Sequence, residues 1–147
     1  MEESIMGFDL FKNKFSIMQA KQLNPLVLAF IGDSVYEVFI RLNFINENRD
    51  MSVHKLHVKV VSFVKAHAQS EIMKKIEGSL NEEEMAIFKR GRNAKSGVPK
   101  NADVQEYRMA TGFEAVIGYL YITEQTTRLN QMLNGIISGR DLNHVES

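Results

Sequence analysis

Apolar residues recur at helical spacing along most of the chain, and the alternating pattern typical of strands is rare. Asn24 followed by Pro25 predicts the start of a long apolar helix, because a proline at the first helical position loses no hydrogen bond. Ser52 predicts the start of a second, amphipathic helix that runs towards Glu77, with Gly78 just past its end. The pattern therefore predicts an all-α fold.

Capping residues predict two more helices. Asn81 with Glu84 three positions later resembles a capping box, which predicts a short helix towards Arg90. Asp103 with Glu106 repeats this spacing and predicts the start of a long helix with the sequence VQEYRMATGFEAVIGYLYITE. This helix and the one that follows Asn24 are so apolar that we expect both at the centre of the fold.

The predicted helices belong to one domain. A last helix is expected to begin near Thr126 and to end before Gly139. We predict an N-terminal extension over the weakly patterned residues 1–18, the helical domain over residues 19–138, and a C-terminal tail over residues 139–147. A chain of 147 residues is long enough for one hydrophobic core.

The composition is typical of a globular protein. Apolar residues make up 44% of the chain and charged residues 24%. The absence of cysteine excludes disulfides and thiolate zinc sites and fits a reducing compartment. The opening MEESIMGFDLF lacks the basic region of a secretory signal, and Asp33 and Glu37 interrupt the longest apolar run. We therefore expect a cytoplasmic protein with no membrane span.

Basic residues are clustered, although the net charge of the chain is zero. No acid occurs from Met85 to Lys100, a stretch that contains Lys89, Arg90, Arg92 and Lys95. The overlapping segment GRNAKSGVPKN has two glycines, a proline and no apolar periodicity, so we predict a loop there. This segment is either a solvated connection or a surface that contacts phosphate groups, and its freedom from acids favours phosphate contact.

Each of the two very apolar helices contains an acid among its apolar residues: Asp33 in the first and Glu114 in the second. Asp33 and Glu37 are four positions apart and therefore share one helical face. Small residues surround both acids on their helices: Ala29 and Gly32 in the first, Ala110, Thr111 and Gly118 in the second. Such residues either let two helices approach closely or leave room for a ligand.

Two explanations of these acids remain open on the residues alone. Each acid could be neutralised by a basic side chain such as Arg41, Arg108 or Lys59. Alternatively, the two carboxylates converge. Two carboxylates about 4 Å apart repel each other by about 4 kcal/mol at an effective dielectric constant near 20, so they would share a proton or bind a cation such as Mg²⁺. A carboxylate-bound Mg²⁺ beside a basic segment would suit phosphodiester cleavage.

Three stretches carry a resemblance to a known family. LAFIGDSVYE resembles the hallmark motif of the ribonuclease III family, and TGFEAVIGYLY resembles the second motif of that family. The stretch between them, KRGRNAKSGVPKNADVQEYR, resembles the characteristic segment of the Mini-III branch. The resemblance extends in order over residues 19–138, and three motifs in the correct order make it specific.

This resemblance implies an all-α endoribonuclease that forms a homodimer, uses Mg²⁺ (with Mn²⁺ able to replace it) and cleaves double-stranded RNA. For the Mini-III branch it implies maturation of precursor 23S ribosomal RNA, for which a ribosomal protein is a candidate helper. The separate double-stranded-RNA-binding domain of longer family members is not expected here. The basic surface of the nuclease dimer, or a partner protein, would then have to bind the RNA.

The resemblance also implies roles for individual residues. Asp33 matches the catalytic aspartate and Glu114 the metal-binding glutamate, so we expect both to hold the metal. Two other acids of the family are absent, because Ala29 and Thr111 occupy their positions, and we therefore expect more water around the metal. We expect Glu37 and Thr111 to support the metal ligands from beside them. Phosphate contacts are expected from four residues of the basic segment: Arg92, Asn93, Lys95 and Lys100.

Three alternatives remain open at this stage. His54 and His57 are three positions apart and could share zinc, but no third ligand accompanies them, so solvated or RNA-facing histidines are favoured. The missing acids leave room for a non-catalytic RNA-binding or ribosome-assembly module. A structural helical dimer with ordinary buried acids is the third reading.

Overall fold

The protein is described by a computed structural model that covers the backbone of residues 15–146 and the side chains of residues 15–139. This part of the chain contains helices and no strand, which confirms the predicted all-α class. The elements are α1 Ile17–Gln22, α2 Pro25–Glu47, α3 Val53–Val64, α4 Ala66–Ile76, a short 3₁₀ helix Glu77–Ser79, α5 Glu82–Asn93, α6 Val104–Ile122 and α7 Thr126–Glu146. None of these helices is long and apolar enough to cross a membrane.

The predicted helix starts are confirmed by hydrogen bonds that the capping side chains accept. Asn24 caps α2, Ser52 caps α3 and Asp103 caps α6, each by accepting from a backbone N–H in the first turn of its helix. Asn81 and Glu84 form a reciprocal capping box at the start of α5. Because these caps are local, they can be recognised in the sequence.

Two predicted helix boundaries are wrong. The helix expected from Ser52 towards Glu77 is two helices, because Lys65 adopts an extended backbone conformation between α3 and α4. The last helix continues past Gly139, since a glycine inside a helix costs only about 1 kcal/mol relative to alanine. The predicted extension contains the start of α1, while its residues 1–14 lie outside the described part of the chain.

The predicted loop of the basic segment is also shorter than expected, because α5 continues through Asn93. Gly91 explains the difference. A β-carbon there would lie 2.9 Å from the β-carbon of Ala115 and 3.0 Å from the α-carbon of Gly112, so the last turn of α5 packs closely against α6. Arg92 and Asn93 therefore belong to a packed helix end, and only the residues from 94 to 103 connect α5 to α6.

The centre of the fold is the crossing of α2 and α6, whose backbones touch. A β-carbon at Gly32 would lie 1.8 Å from the carbonyl oxygen of Glu114, and one at Gly118 would lie 2.0 Å from the carbonyl oxygen of Leu28. Farther along the crossing, the rings of Tyr36 and Phe113 meet edge to face, 4.9 Å apart. α5 and α4 pack on the other sides of α6, which is buried along most of its length.

The crossing predicts a large cost for Gly32→Ala. The new methyl group would overlap the Glu114 carbonyl, so the helices would have to separate and lose contacts along their length. We expect the free energy of unfolding, measured by urea denaturation, to fall by about 3 kcal/mol or more.

Gly135→Ala is the matched control, since a β-carbon at Gly135 in α7 would meet nothing within 4 Å. We expect this variant to gain about 0.5–1 kcal/mol, because alanine is the better helix former. Wild-type stability in Gly32→Ala would contradict the close crossing.

Candidate active site

The α2–α6 crossing brings Asp33 and Glu114 together. Asp33 follows Gly32, which lies against the backbone of Glu114, so the two side chains start from the point of closest approach. Their carboxyl groups share a hydrogen bond. Asp33 is exposed to solvent and Glu114 is half-buried, so the pair lies at the edge of the core, where it can be reached from solution.

The environment of Glu114 favours its protonated form. Burial is the largest cause, followed by the negative charge of Asp33 and the hydrogen bond to it, and together they raise the pKa of Glu114 to about 8. The amide of Gln69 has the opposite effect, since it donates a hydrogen bond to the carboxylate. Near neutral pH the protein alone therefore holds a proton between the two carboxyl groups.

Neither acid is neutralised by a basic side chain within the described residues. Of the basic residues considered from the sequence, Arg41 pairs with Glu37 one turn away on α2, and Lys59 lies over the ring of Phe44. The structural explanation of these acids, which requires a cation of the protein beside each, is therefore not supported. The uncompensated pair retains the capacity to bind a cation from solution.

Glu84 shows how this fold neutralises a purely structural acid. Its side chain is fully buried on α5, and Arg128 donates to both carboxylate oxygens at 2.8 Å. Burial alone would raise the pKa of Glu84, but the hydrogen bonds from Arg128 lower it overall. Among the described residues no arginine pairs with Glu114, which distinguishes it from Glu84.

Gln69 is a member of the site that the sequence did not indicate. It lies in the first turn of α4, is 1% exposed, and stabilises the ionised form of Glu114 through its side-chain amide. The same amide nitrogen donates to the carbonyl oxygen of Val64 at 3.0 Å, across the break between α3 and α4. A glutamine in an amphipathic helix is usually a surface residue, so no local signal marks it.

The two supporting residues expected from the sequence are engaged elsewhere. Glu37 is bound to Arg41, and the hydroxyl of Thr111 donates to the carbonyl oxygen of Tyr107 at 2.9 Å within α6. Neither of these contacts involves Asp33 or Glu114. Their role beside the metal stays a prediction.

The basic segment begins close to the acid pair. Gly91 packs against the turn of α6 that runs from Thr111 to Ala115 and includes Glu114. Arg92 follows directly; its guanidinium lies 5.4 Å from the centre of the Phe88 ring, and its Nε donates to Asn93 at 3.2 Å. Lys95 and Lys100 are exposed in the connection that follows.

Arg90, in contrast, is a structural residue. Its guanidinium donates to the carbonyl oxygens of Lys21 at 2.7 Å and Leu23 at 2.9 Å, which holds the end of α1 against α5. These bonds occupy it, so we do not assign it to a binding surface.

The donor set fits one hard cation with a large water shell. Two carboxylates supply oxygen ligands, which Mg²⁺ prefers, and Mg²⁺ commonly keeps several waters. No group of three or more histidines, cysteines and acids gathers anywhere in the described part of the chain. The number of direct ligands at the cation site and the roles of His54 and His57 stay predictions.

Comparison with known proteins identifies the family of this chain. The model of the ribonuclease III domain family matches residues 26–125. A protein named Mini-ribonuclease 3 from Clostridium tetani is 54% identical over 85% of this chain and 83% of its own length. Another of that name, from a Thermoanaerobacter species, is 46% identical over 90% of this chain and 94% of its own. The chain therefore belongs to the ribonuclease III family, in its Mini-III branch, and its class is that of an endoribonuclease.

A solved structure shows the same fold. The crystal structure of a protein from Fusobacterium nucleatum superposes with a TM-score of 0.75, is 32% identical in sequence, and covers 86% of this chain and 99% of its own. The two proteins therefore share the helical architecture described above.

The raised pKa of Glu114 predicts how stability depends on pH. Without divalent cations, the folded protein keeps a proton on Glu114 up to about pH 8, whereas the unfolded chain releases it near the ordinary value of 4.5. Between these values the folded state binds more protons, so its free energy of unfolding falls as pH rises, by at most about 1.4 kcal/mol per pH unit.

Urea denaturation of wild type and Glu114→Gln at pH 5, 6, 7 and 8 in a chelating buffer measures this effect. The difference between the two curves isolates Glu114 from the histidines and other groups that titrate in this range. We expect the variant to gain stability relative to wild type as pH rises. Parallel curves would show that Glu114 does not retain its proton.

Proposed function

We propose that this chain is a Mg²⁺-dependent endoribonuclease that cleaves double-stranded RNA and matures the ends of precursor 23S ribosomal RNA. The observation that carries the proposal is the acid pair of Asp33 and Glu114, which no basic side chain of the described residues neutralises. Membership of the ribonuclease III family supports the reaction class, and the name of the relatives, Mini-ribonuclease 3, supports the RNA substrate.

Asp33 and Glu114 would hold the cation, with Mn²⁺ able to replace Mg²⁺. When bound, such an ion lowers the pKa of a coordinated water and stabilises the negative charge that develops on the scissile phosphate. Asp33, exposed on α2, faces solution and the substrate, while Glu114 holds the inner side of the site. Gln69 stabilises the ionised form of Glu114, which is the form that binds a cation.

The four predicted RNA-binding residues, Arg92, Asn93, Lys95 and Lys100, would hold phosphates of the duplex next to the acids. Gly91 supports this assignment, because its packing places the start of the segment on the turn of α6 that bears Glu114. Side chains cannot read base edges in the deep, narrow major groove of A-form RNA, so recognition would rest on backbone shape and 2′-hydroxyl groups.

An exposed apolar stripe on α2 supports a homodimer. Its members recur at helical spacing along one face: Val27, Phe30, Val38, Leu42 and Ile45. Phe30 is 79% exposed, which is unusual for a phenylalanine unless a partner covers it. The stripe runs beside Asp33, so a two-fold axis here would place two acid pairs near each other, one for each strand of a duplex.

Cytoplasmic precursor ribosomal RNA is the proposed substrate, and a ribosomal protein that presents it is the proposed helper. The competing assignment is a non-catalytic RNA-binding or ribosome-assembly module. It is favoured by one observation, the replacement of two family acids by Ala29 and Thr111. Cleavage assays separate the two assignments, because the competing one predicts RNA binding without a product that depends on Mg²⁺.

Asp33→Asn and Glu114→Gln are expected to abolish cleavage while leaving the fold intact. Each removes one ligand charge from the cation site, so single-turnover cleavage of a duplex RNA in Mg²⁺ should slow by about 100-fold or more. Glu71→Gln is the control, since Glu71 is an exposed acid that pairs with Lys74 on α4. Wild-type rates in both site variants would refute the assignment.

Lys95→Ala and Lys100→Ala are expected to weaken RNA binding without changing the chemical step. Each lost phosphate contact should reduce the slope of log affinity against log salt concentration by roughly 1. Fluorescence anisotropy with a labelled duplex in EDTA measures the slope without cleavage, and Lys74→Ala serves as the control. An unchanged slope in both variants would exclude these lysines from the interface.

Val38→Glu is expected to convert the dimer to a monomer, because it places a charge in the centre of the apolar stripe. Sedimentation equilibrium measures the molecular mass, and circular dichroism checks that the helices remain. Val58→Glu is the matched control on α3, since Val58 is 56% exposed and Val38 is 57% exposed. A monomeric wild type, or a Val38→Glu dimer, would contradict the proposed interface.

A further inference from the structure

Gln69 is an unusual residue for the interior of this fold. It is 1% exposed, and within the described residues its side-chain oxygen Oε1 has no hydrogen-bond partner. An unpaired buried polar atom costs free energy that a leucine or methionine at the same position would avoid. Packing therefore does not explain a glutamine here, and its contacts must supply the reason.

Those contacts connect the acid pair to a corner of the backbone. One hydrogen of the amide is donated to the carbonyl oxygen of Val64 at 3.0 Å, which anchors the side chain to the end of α3. The other is available to the carboxylate of Glu114, whose ionised form the amide stabilises. The bond to Val64 thus holds the amide, at the tip of the side chain, beside Glu114.

A second contact fixes α4 beside α6. The imidazole Nδ1 of His67, two residues before Gln69, contacts a carboxylate oxygen of Glu106 at the start of α6. Glu106 and Glu114 are two turns apart on the same helix, so the first turn of α4 lies along α6 and is held to it at two points. The amide of Gln69 is therefore presented to Glu114 from a rigid support.

Glu114 needs such a partner because its own helix does not orient it. Its neighbours one turn away on α6, Ala110 and Gly118, are too small to restrict its rotamer, and the backbone of α2 closes one side at Gly32. When both carboxylates are ionised, Asp33 repels Glu114 and favours orientations that turn away from the site. A hydrogen bond from Gln69 opposes that movement.

We propose that Gln69 is a positioning residue of the cation site, whose amide holds the ionised carboxylate of Glu114 towards Asp33 so that both can bind one divalent cation. The inference rests on the proposed function, because it assumes that the acid pair binds the cation. Partners that orient metal ligands in this way typically contribute tenfold or more to metal affinity.

Titration calorimetry of Mn²⁺ into the full-length, cation-free protein tests the proposal without measuring cleavage. We expect Gln69→Leu to raise the Kd for Mn²⁺ by about tenfold or more. We also expect the variant to resist unfolding by urea at least as well as the wild type does. If Gln69→Leu does not fold, Gln69→Asn provides the same comparison, because its amide is one methylene too short to reach Glu114 from α4. Wild-type affinity for Mn²⁺ in the folded variant would overturn the proposal.

Ser70→Ala is the matched control. Ser70 is the next residue of α4, is also 1% exposed, and also has a buried side-chain oxygen without a partner among the described residues. Ser70→Ala should leave the affinity for Mn²⁺ unchanged. A tenfold loss of affinity in this variant would show that removal of any buried polar group from α4 weakens the site, and would overturn the specific role of Gln69.

Cleavage measured over a range of Mg²⁺ concentrations gives the second readout. In Gln69→Leu the Mg²⁺ concentration for half-maximal cleavage should rise about tenfold, while the KM for duplex RNA at saturating Mg²⁺ stays unchanged. A raised KM with unchanged Mg²⁺ dependence would overturn the positioning role. A wild-type protein that neither binds Mn²⁺ nor cleaves RNA would instead refute the proposed function, so the two failures are distinguishable.

Discussion

The contact between the backbones of α2 and α6 is the constraint on which the rest of the structure depends. Two glycines, Gly32 and Gly118, make it possible, because any side chain at either position would overlap a carbonyl oxygen of the other helix. The contact fixes both the distance between the helices and their register. Asp33 and Glu114 meet because each lies at or beside the point where the helices touch, so the core packing and the site have the same origin.

At the acid pair this fold retains two acidic groups close together. Glu84 shows that this protein neutralises a buried acid with an arginine where only stability is needed. At Glu114 the neighbouring donor is instead the neutral amide of Gln69. Burial and the charge of Asp33 raise the pKa of Glu114 to about 8. An arginine at the position of Gln69 would neutralise one of the two carboxylates and so weaken the attraction for a cation. A neutral donor orients the ligand and leaves its charge uncompensated.

The sequence predicts those parts of the fold that local interactions determine. The starts of α2 and α6 follow from Asn24 and Asp103, whose side chains bond within their own first turns. The break at Lys65 carries no such signal, since no glycine or proline marks it and Gln69 holds the corner from a different helix. A separate contact, with Glu114 on α6, makes Gln69 part of the site, and it exists only because the fold brings α4 and α6 together.

The features of the candidate site likewise fall into those that the sequence indicates and those that depend on the fold. Isolated acids among small and apolar residues indicate Asp33 and Glu114 without knowledge of the fold, because such positions are costly unless something compensates them. The replacement of family acids by Ala29 and Thr111 is equally visible. The sequence does not show that Arg90 is bound to the end of α1, because this contact depends on how α1 packs against α5. Clustering of charge in the sequence therefore does not distinguish Arg90, a structural residue, from the basic residues that are predicted to contact RNA.

The central claim is that two carboxyl groups share a proton until a divalent cation replaces it. Titration calorimetry of Mn²⁺ into the cation-free protein at pH 7, repeated in buffers with different heats of ionisation, measures the protons released per cation bound. Because the pKa of Glu114 lies near 8, the account predicts the release of about one proton for each cation. Binding without proton release, or no binding at all, would contradict it.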